Sequence, residues 1–297
     1  MIYLSHFGLR EQPFGITPDT SFFYACRSIQ EALNTLLVAV TNGEGFIKVT
    51  GEVGTGKTLL CRKFLASLDE SWVTAYLPNP NLEPRTLLLA LGEELGQKLN
   101  PQLDQHHIIK ALNLALLDAA RNRKRVIVCL DETQAMPLET LETLRLLTNL
   151  ETEKRKLIQV VLFGQPELDE RLSEESIRQL RQRITFQHHL GALSLMETEH
   201  YLRHRMAVAG YRGDPVFTRY AERTIYRASG GVPRLINILA NKALMLAYGE
   251  GGHRVHWRHA RAAVSDTPAA GSLFRRWIPV ALVLAIAACG IGWMAFA

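Results

Sequence analysis

Residues 46–58, FIKVTGEVGTGKT, constrain the fold more than any other part of this 297-residue chain. A short apolar run with β character leads into a glycine-rich segment, and a segment with helical spacing follows. A G-x-x-x-x-G-K-T pattern between a strand and a helix is typical of a loop that binds phosphate through backbone N–H groups. The alternative is a chance glycine-rich turn, which would rarely fall between two such elements. The sequence therefore predicts a nucleotide phosphate site in an α/β domain.

The residues of this phosphate loop have different expected roles. Its glycines would stand where a Cβ would clash or where φ must be positive, and the helix would direct its positive dipole end at the phosphates. Lys57 would contact the β- and γ-phosphates of ATP, and the hydroxyl of Thr58 would bind Mg²⁺. The residues expected to surround the phosphates are Gly51, Glu52, Val53, Gly54, Thr55, Gly56, Lys57 and Thr58.

Two acidic residues follow a second apolar run. Residues 126–130, VIVCL, have the composition of a central parallel strand buried on both faces, and Asp131 and Glu132 come directly after it. Ligands of open α/β sheets bind at the carboxyl ends of the strands. We therefore expect Asp131 to hold Mg²⁺ through water, and Glu132 to orient and polarise the water that attacks the γ-phosphate. The alternative is a solvated acidic turn.

Polar side chains at two other places are candidates for contact with the γ-phosphate. Residues 157–163, LIQVVLF, predict another buried strand, and Gln165 follows its end, where an amide could sense the γ-phosphate. Residues 176–187 predict a helix running into a strand, with Arg178, Arg181 and Arg183 near the junction. One of them could reach the ATP of a neighbouring subunit, and we favour Arg183 over Arg181. The alternative is a basic surface helix or a nucleic-acid contact.

The β pattern stops near Leu190, which predicts two domains. Residues 1–190 would form a P-loop α/β domain with a parallel sheet of about five strands, opened by an aromatic-rich extended segment at 1–27. Residues 191–264 have only helical patterns and predict an all-α lid domain. In this domain Arg234 follows a Gly-Gly-Val-Pro turn at a helix start, from which it could reach the γ-phosphate. The alternative is a surface arginine beside a turn.

The end of the chain predicts a membrane anchor. After a linker at 265–277, residues 278–297 form an uncharged run, IPVALVLAIAACGIGWMAFA, which as a helix would reach about 30 Å, the thickness of a bilayer core. Arg275 and Arg276 precede this run, and Trp277 and Trp293 lie near its ends. A buried C-terminal helix is the alternative, although such a helix would normally carry a polar face. We therefore expect a single-pass transmembrane helix with the ATPase domain in the cytoplasm.

Composition and charge argue against several other classes of protein. A hydrophobic content of 47% with 21% charged residues is ordinary for a globular chain, and a net charge of +5 does not by itself demand a nucleic-acid partner. The four cysteines lie far apart without a C-x-x-C pair, and no cysteine or carboxylate completes a ligand set around the histidines. We predict neither a disulfide nor a zinc site.

Several motifs together resemble one family of AAA+ ATPases. They are the phosphate loop, the Asp131-Glu132 strand end, GQPEL at 164–168, LRQRI at 180–184, GGVPR at 230–234 and the opening FGLREQPFGITPDTSFFY at 7–24. Over about residues 1–265 the chain is similar to the general secretion pathway protein A family. The resemblance implies ATP binding by the phosphate loop, Mg²⁺ binding and hydrolysis at Asp131 and Glu132, a first sensor at Gln165 and a second at Arg234. Family members often continue into a periplasmic peptidoglycan-binding domain, which is not expected here.

We expect a membrane-anchored ATPase of the bacterial inner membrane that assembles with copies of itself, as a ring, in the ATP-bound state. The resemblance implies a role in assembling a type IV (MSHA-like) pilus or type II secretion machinery, with inner-membrane assembly proteins as partners. A nucleic-acid-loading ATPase of the transposition-helper or replication-initiator type is the chief alternative. The terminal apolar run and the lack of a basic stripe disfavour nucleic acid as a partner. A scaffold that binds ATP with little turnover is disfavoured by Glu132.

Overall fold

The computed structural model describes residues 2–149, 151–152 and 155–270, and these fall into two compact units. The sheet unit comprises Ala25–Gly191. The helical unit comprises the residues up to Tyr24 together with those from Ala192 onwards. The chain therefore leaves the helical unit after its N-terminal segment and returns to it once the sheet is complete.

A parallel sheet forms the centre of the sheet unit. The strands of the described residues are β1 (Phe46–Gly51), β2 (Trp72–Leu77), β3 (Arg125–Leu130), β4 (Glu151–Thr152), β5 (Arg155–Lys156), β6 (Ile158–Gly164) and β7 (Ile184–Leu190). Five of them pair in parallel in the order β2-β3-β6-β1-β7, while β4 and β5 form a short antiparallel pair. Every residue of β1 and β6 is buried, as in central strands of a sheet with helices on both faces. The expected parallel sheet of about five strands is confirmed.

The described helices of the sheet unit precede and connect its strands. They are α1 (Arg27–Thr41), α2 (Lys57–Leu65), α3 (Pro84–Glu94), α4 (Gln105–Arg121), α5 (Leu138–Leu147), α6 (Glu167–Leu172) and α7 (Arg178–Arg181). Helix α3 ends at Glu94, because Gly96 adopts a left-handed φ of +75° that terminates helices. Helix α5 ends at Leu147, and Glu151 begins β4.

The main apolar core of the sheet unit lies between strands β2, β3 and β6 and helices α3, α4 and α5. Alternate residues of β3, Val126, Val128 and Leu130, belong to this core, as expected for side chains that share one face of a strand. Leu87 of α3 and Ile108 of α4 are fully buried against them. This packing fixes β3, and with it the position of the acidic residues that follow.

Among the described residues, the rest of the helical unit is built mainly by four helices: α8 (Leu195–Val208), α9 (Arg219–Ser229), α10 (Pro233–Gly249) and α11 (Trp257–Ser265). Ser194 and Glu197 form a reciprocal capping box at the start of α8, and the side chain of Thr218 caps α9. Pro233 occupies the first turn of α10, where its missing N–H has no cost. The described residues after Ala192 thus form the helical region that the sequence predicts.

The N-terminal segment packs within the helical unit, and not in the α/β domain where the sequence predicts residues 1–27. Arg205 of α8, only 5% exposed, donates hydrogen bonds to the carbonyl oxygens of Pro13 at 2.5 Å and Gly15 at 3.1 Å. Its guanidinium also lies 4.3 Å from the ring centre of Phe22. Because an irregular segment has no strand partner, its buried carbonyl groups need such side-chain donors.

The C-terminal part of the described chain stays folded beyond the expected domain end. Residues 265–270 were predicted to begin a linker, but Lys242 Nζ donates to the Asp266 carbonyl at 2.6 Å and to its carboxylate at 2.8 Å. Thr267 donates to the Ala263 carbonyl at 2.8 Å. The rest of the predicted linker and the predicted membrane helix at 278–297 lie outside the described residues. Within the described ranges, no helix is long and apolar enough to span a bilayer.

Glu222 of α9 is a buried acidic residue of the helical unit. Its side chain is 1% exposed, and neither carboxylate oxygen has a hydrogen-bond partner among the described residues. Arg203 Nε lies 3.9 Å from Oε1, too far for a hydrogen bond. Burial raises the pKa of Glu222, and the positive charge of Arg203 opposes this rise only in part.

We predict that Glu222→Gln raises the free energy of unfolding by about 1 kcal/mol at pH 8, because it removes a poorly compensated buried charge. A carboxyl with a raised folded-state pKa contributes stability below its unfolded-state pKa and loses it as the pH rises through the folded-state pKa. The gain should therefore be larger at pH 8 than at pH 5, as measured by denaturant unfolding. The control is Glu11→Gln at an exposed position of the same unit. Equal effects of the two substitutions at both pH values would contradict the prediction.

Candidate nucleotide-binding and catalytic site

The phosphate loop connects β1 to α2 at the carboxyl edge of the sheet. Strand β1 ends at Gly51, where a Cβ would come within 2.6 Å of the Leu190 carbonyl oxygen, so only glycine fits beside β7. Gly56 is the N-cap of α2 with φ of +105°, a left-handed conformation that a residue with a side chain rarely adopts. Within the described chain, no side chain caps the first N–H groups of α2. These groups are therefore available to an anion, as the sequence predicts.

Lys57, the first residue of α2, is folded over this loop. Its side chain Nζ donates to the carbonyl oxygens of Gly51 at 2.7 Å and Glu52 at 3.0 Å, and the residue is 5% exposed. Burial lowers the pKa of Lys57, while the negative charges of Glu132 and Asp131 oppose the change. The structure thus brings the lysine of the phosphate loop close to the acidic residues that follow β3.

Thr58 and Asp131 meet directly. The Thr58 hydroxyl donates to Asp131 Oδ2 at 2.5 Å, and the Tyr76 hydroxyl lies 3.5 Å from the same oxygen. Asp131 is 2% exposed, and burial raises its pKa although the bond from Thr58 works in the opposite direction. Hard oxygen atoms from a hydroxyl and a carboxylate, side by side, are the ligand types that Mg²⁺ prefers. The residues present therefore fit the expected metal.

Glu132 has an unusual backbone and a well-defined side chain. Its φ is +54°, in the left-handed region, and its backbone N–H donates a hydrogen bond to Asp131 Oδ1 at 3.0 Å. Its Oε2 accepts hydrogen bonds from Gln134 Nε2 at 2.6 Å and from Gln165 Nε2 at 3.1 Å. Burial raises the pKa of Glu132, but these two bonds and the charge of Lys57 outweigh it, so the net shift is downward. Glu132 is thus held as a carboxylate.

Gln165 comes directly after β6, the strand between β3 and β1. Its side chain reaches Glu132, and its N–H donates to Gln134 Oε1 at 3.0 Å. The structure therefore brings Gln165 together with Glu132, which the order of the strands explains. Its expected role as a sensor of the γ-phosphate stays a prediction.

The sequence analysis missed two residues of this site. Gln134 lies in the 3-10 turn that follows Glu132. Only its position in the sequence, two residues after Glu132, could have indicated that the two side chains are in contact. Tyr76 lies on β2, paired in register with Cys129 of β3, so it projects near the end of that strand. A hydroxyl on the neighbouring strand could be found only once the strand register was known.

The candidate arginines occupy different surroundings. Arg178 and Arg181 are exposed on α7, whereas Arg183 Nη1 donates to the Arg145 carbonyl and to Thr148 Oγ1, both at 3.2 Å. Arg183 is therefore bonded to the end of α5 in its own chain. Arg234 belongs to the helical unit, as the second residue of α10. The expected roles of Arg181, Arg183 and Arg234 toward ATP stay predictions.

The chain shares its fold with proteins of known structure. ORC2 of Aeropyrum pernix, solved as ADPNP-ADP complexes, is 22% identical and has a TM-score of 0.62, with 84% of this chain and 72% of that chain covered. The RuvB Holliday junction branch migration motor of Thermotoga maritima is 16% identical with a TM-score of 0.56, covering 84% and 73%. At these identities, the likeness is one of fold alone.

Sequence comparisons are more specific. Residues 40–172 match a family described as AAA domain. The chain is 43% identical over 262 residues to general secretion pathway protein A of Aeromonas hydrophila, which covers 86% of this chain and 46% of that protein. The chain thus spans less than half the length of this relative, and the resemblance stated from the motifs is confirmed. Together with the phosphate loop and the acidic strand end, these matches show that the chain contains a P-loop AAA domain and is similar to general secretion pathway protein A.

Proposed function

We propose that this chain is a membrane-anchored ATPase that drives assembly of a type IV (MSHA-like) pilus or of type II secretion machinery in the bacterial inner membrane. The observation that carries the catalytic part is the convergence of Thr58, Asp131, Glu132 and Gln165 around the start of α2. The assembly part is supported by the similarity to general secretion pathway protein A, whose name refers to secretion. Inner-membrane assembly proteins are the proposed partners.

The catalytic residues have separate tasks in this proposal. The N–H groups of the phosphate loop and Lys57 bind the β- and γ-phosphates of ATP. Glu132 orients the attacking water and takes up its proton, for which an ionised carboxylate is required. Gln165 contacts the γ-phosphate as the first sensor. Arg234 acts as the second sensor from the helical unit.

Thr58 and Asp131 are the residues that would hold Mg²⁺. When bound, the ion neutralises the charge that develops between the β- and γ-phosphates. The short contact between the two oxygens supports this assignment, because it places the two ligand atoms side by side.

The active ATPase is proposed to be a homo-oligomer, in the form of a ring. An arginine of one subunit, Arg183 or Arg181, would stabilise the transferring phosphoryl group bound to its neighbour. Arg183 lies directly before β7, and its side chain is hydrogen-bonded to the end of α5. Such a position suits a residue that must be presented in a fixed geometry.

Lys57→Ala should weaken ATP binding by about 10- to 100-fold, because it removes a charged contact to the phosphates. Glu132→Gln should leave ATP affinity within a few-fold of wild type and lower kcat by about 100-fold or more, because an amide cannot accept the proton. Titration with a fluorescent ATP analogue and steady-state phosphate release measure the two effects. The control is Glu70→Gln, an exposed position of the same unit. Wild-type hydrolysis by Glu132→Gln would remove Glu132 from this role.

Arg183→Ala should lower the ATPase rate by about a thousand-fold if the residue acts on a neighbouring subunit. Addition of Lys57→Ala subunits, which lack a working phosphate loop but keep their arginine, should restore activity to the Arg183→Ala subunits. The same mixtures are made with Arg181→Ala, and Arg178→Ala on the same helix is the control expected to stay active.

The matched control for this mixing experiment is the double variant Lys57→Ala/Arg183→Ala, which cannot donate the arginine and should not restore activity. Absence of rescue for both Arg183→Ala and Arg181→Ala would exclude an arginine of this helix junction from a shared active site. Circular dichroism spectra of the variants confirm that each subunit is folded.

The predicted anchor is tested by cell fractionation. The full chain should sediment with bacterial inner membranes and resist extraction at high pH, whereas residues 1–270 should be recovered in the soluble fraction, because the apolar run at 278–297 is removed. Replacement of two central leucine or isoleucine residues of this run by arginine is the second test. Membrane association of residues 1–270 equal to that of the full chain would contradict the anchor.

A further inference from the structure

Gln134 makes three hydrogen bonds in this site, and none of the roles expected from the sequence explains them. Its Nε2 donates to Glu132 Oε2 at 2.6 Å, and its Oε1 accepts the N–H of Gln165 at 3.0 Å. Its own carbonyl oxygen accepts a hydrogen bond from Arg171 of α6. A half-buried amide bonded at both ends of its side chain and at its backbone has little freedom to rotate.

These contacts fix which end of the amide faces Glu132. The backbone N–H of Gln165 can only donate, so the oxygen of the Gln134 side chain must face it. The nitrogen then necessarily faces the Glu132 carboxylate, where it donates. At 2.6 Å against 3.1 Å, the bond from Gln134 is shorter than the one from Gln165, and hydrogen bonds to an ionised acceptor are the stronger ones.

Both amide donors bind the same carboxylate oxygen, Oε2. Among the described residues, none donates a hydrogen bond to Oε1 of Glu132. A carboxylate fixed through one oxygen presents the other in a defined direction, which is what a base needs to meet a positioned water molecule. Because Gln165 is expected to turn toward the γ-phosphate, Gln134 is the donor that remains on Glu132.

We infer that Gln134 is a positioning residue for ATP hydrolysis, which holds Oε2 of Glu132 so that Oε1 is presented to the attacking water. The inference rests on the proposed role of Glu132 as the residue that activates water. An alternative is that Gln134 only satisfies the polar groups of the turn after β3. The two explanations differ in what they predict for kcat at an unchanged affinity for ATP.

The test uses the full chain and two substitutions of similar size. Gln134→Met keeps the length of the side chain but removes both polar ends. Gln134→Glu keeps an oxygen for the Gln165 N–H but replaces the donor toward Glu132 with a second carboxylate. Gln134→Glu should therefore lower kcat further than Gln134→Met, because it removes the donor and also places a second carboxylate beside Glu132.

At pH 8 both variants should lower kcat by about 10- to 100-fold through misplacement of Glu132, with the affinity for ATP unchanged. Gln134→His, which retains a ring N–H donor, should recover part of the rate. A residue with a merely structural role would change the fraction of folded, ATP-binding enzyme and leave kcat per ATP-binding site unchanged. Gln102→Met, in an exposed stretch of the same unit, is the matched control.

Glu132→Gln is measured in parallel, because it distinguishes a failure of the proposed role of Glu132 from a failure of the inference about Gln134. If Glu132→Gln is inactive while both Gln134 variants keep wild-type kcat, the inference about Gln134 is wrong and the role of Glu132 stands. If Glu132→Gln hydrolyses ATP at the wild-type rate, both are overturned. A reduced kcat per ATP-binding site in the Gln134 variants, with unchanged ATP affinity and partial recovery in Gln134→His, supports both beside an inactive Glu132→Gln.

Discussion

The candidate site depends on the position of β6 between β1 and β3 in a parallel sheet. Because the three strands run in the same direction, their carboxyl ends lie at one edge, and each is followed by a different part of the site. β1 and β3 are two strand spacings apart, about 10 Å, so the residues that follow them are not in contact through the sheet itself. Helix α2 packs over β6 and spans this gap, which allows Thr58 to reach Asp131.

This arrangement gives two adjacent carboxylates different properties. Asp131 is almost completely buried, and its desolvation raises its pKa, a change that a bound cation would oppose. Glu132 receives two amide hydrogen bonds on one oxygen and the field of Lys57, and its pKa shifts down in spite of burial. Two neighbouring carboxylates can therefore differ in pKa because their surroundings differ, and this difference is what allows such a pair to take separate roles.

Much of the fold and part of the site could be predicted from the sequence, since burial on both faces of a strand leaves a continuous apolar run that is readily recognised. The runs before Asp131 and Gln165 are of this kind, and the polar residues after them lie together as parallel pairing requires. The N-terminal segment was assigned to the wrong unit because its packing depends on Arg205, a residue distant in the chain. Gln134 was not predicted, because its hydrogen bond to Glu132 depends on the backbone geometry of a turn. A turn of this kind leaves no periodic pattern in the sequence.

The left-handed backbone of Glu132 has a consequence for how the protein can change. A glutamate at φ of +54° carries conformational strain on the order of 1 kcal/mol, which glycine would relieve and asparagine would reduce. The variants that fold most favourably at this position are therefore ones without a carboxylate. On the proposed role of Glu132, selection for a more robust fold and selection for turnover act in opposite directions at this single residue, and a redesign of the turn guided by stability alone would remove the proposed base.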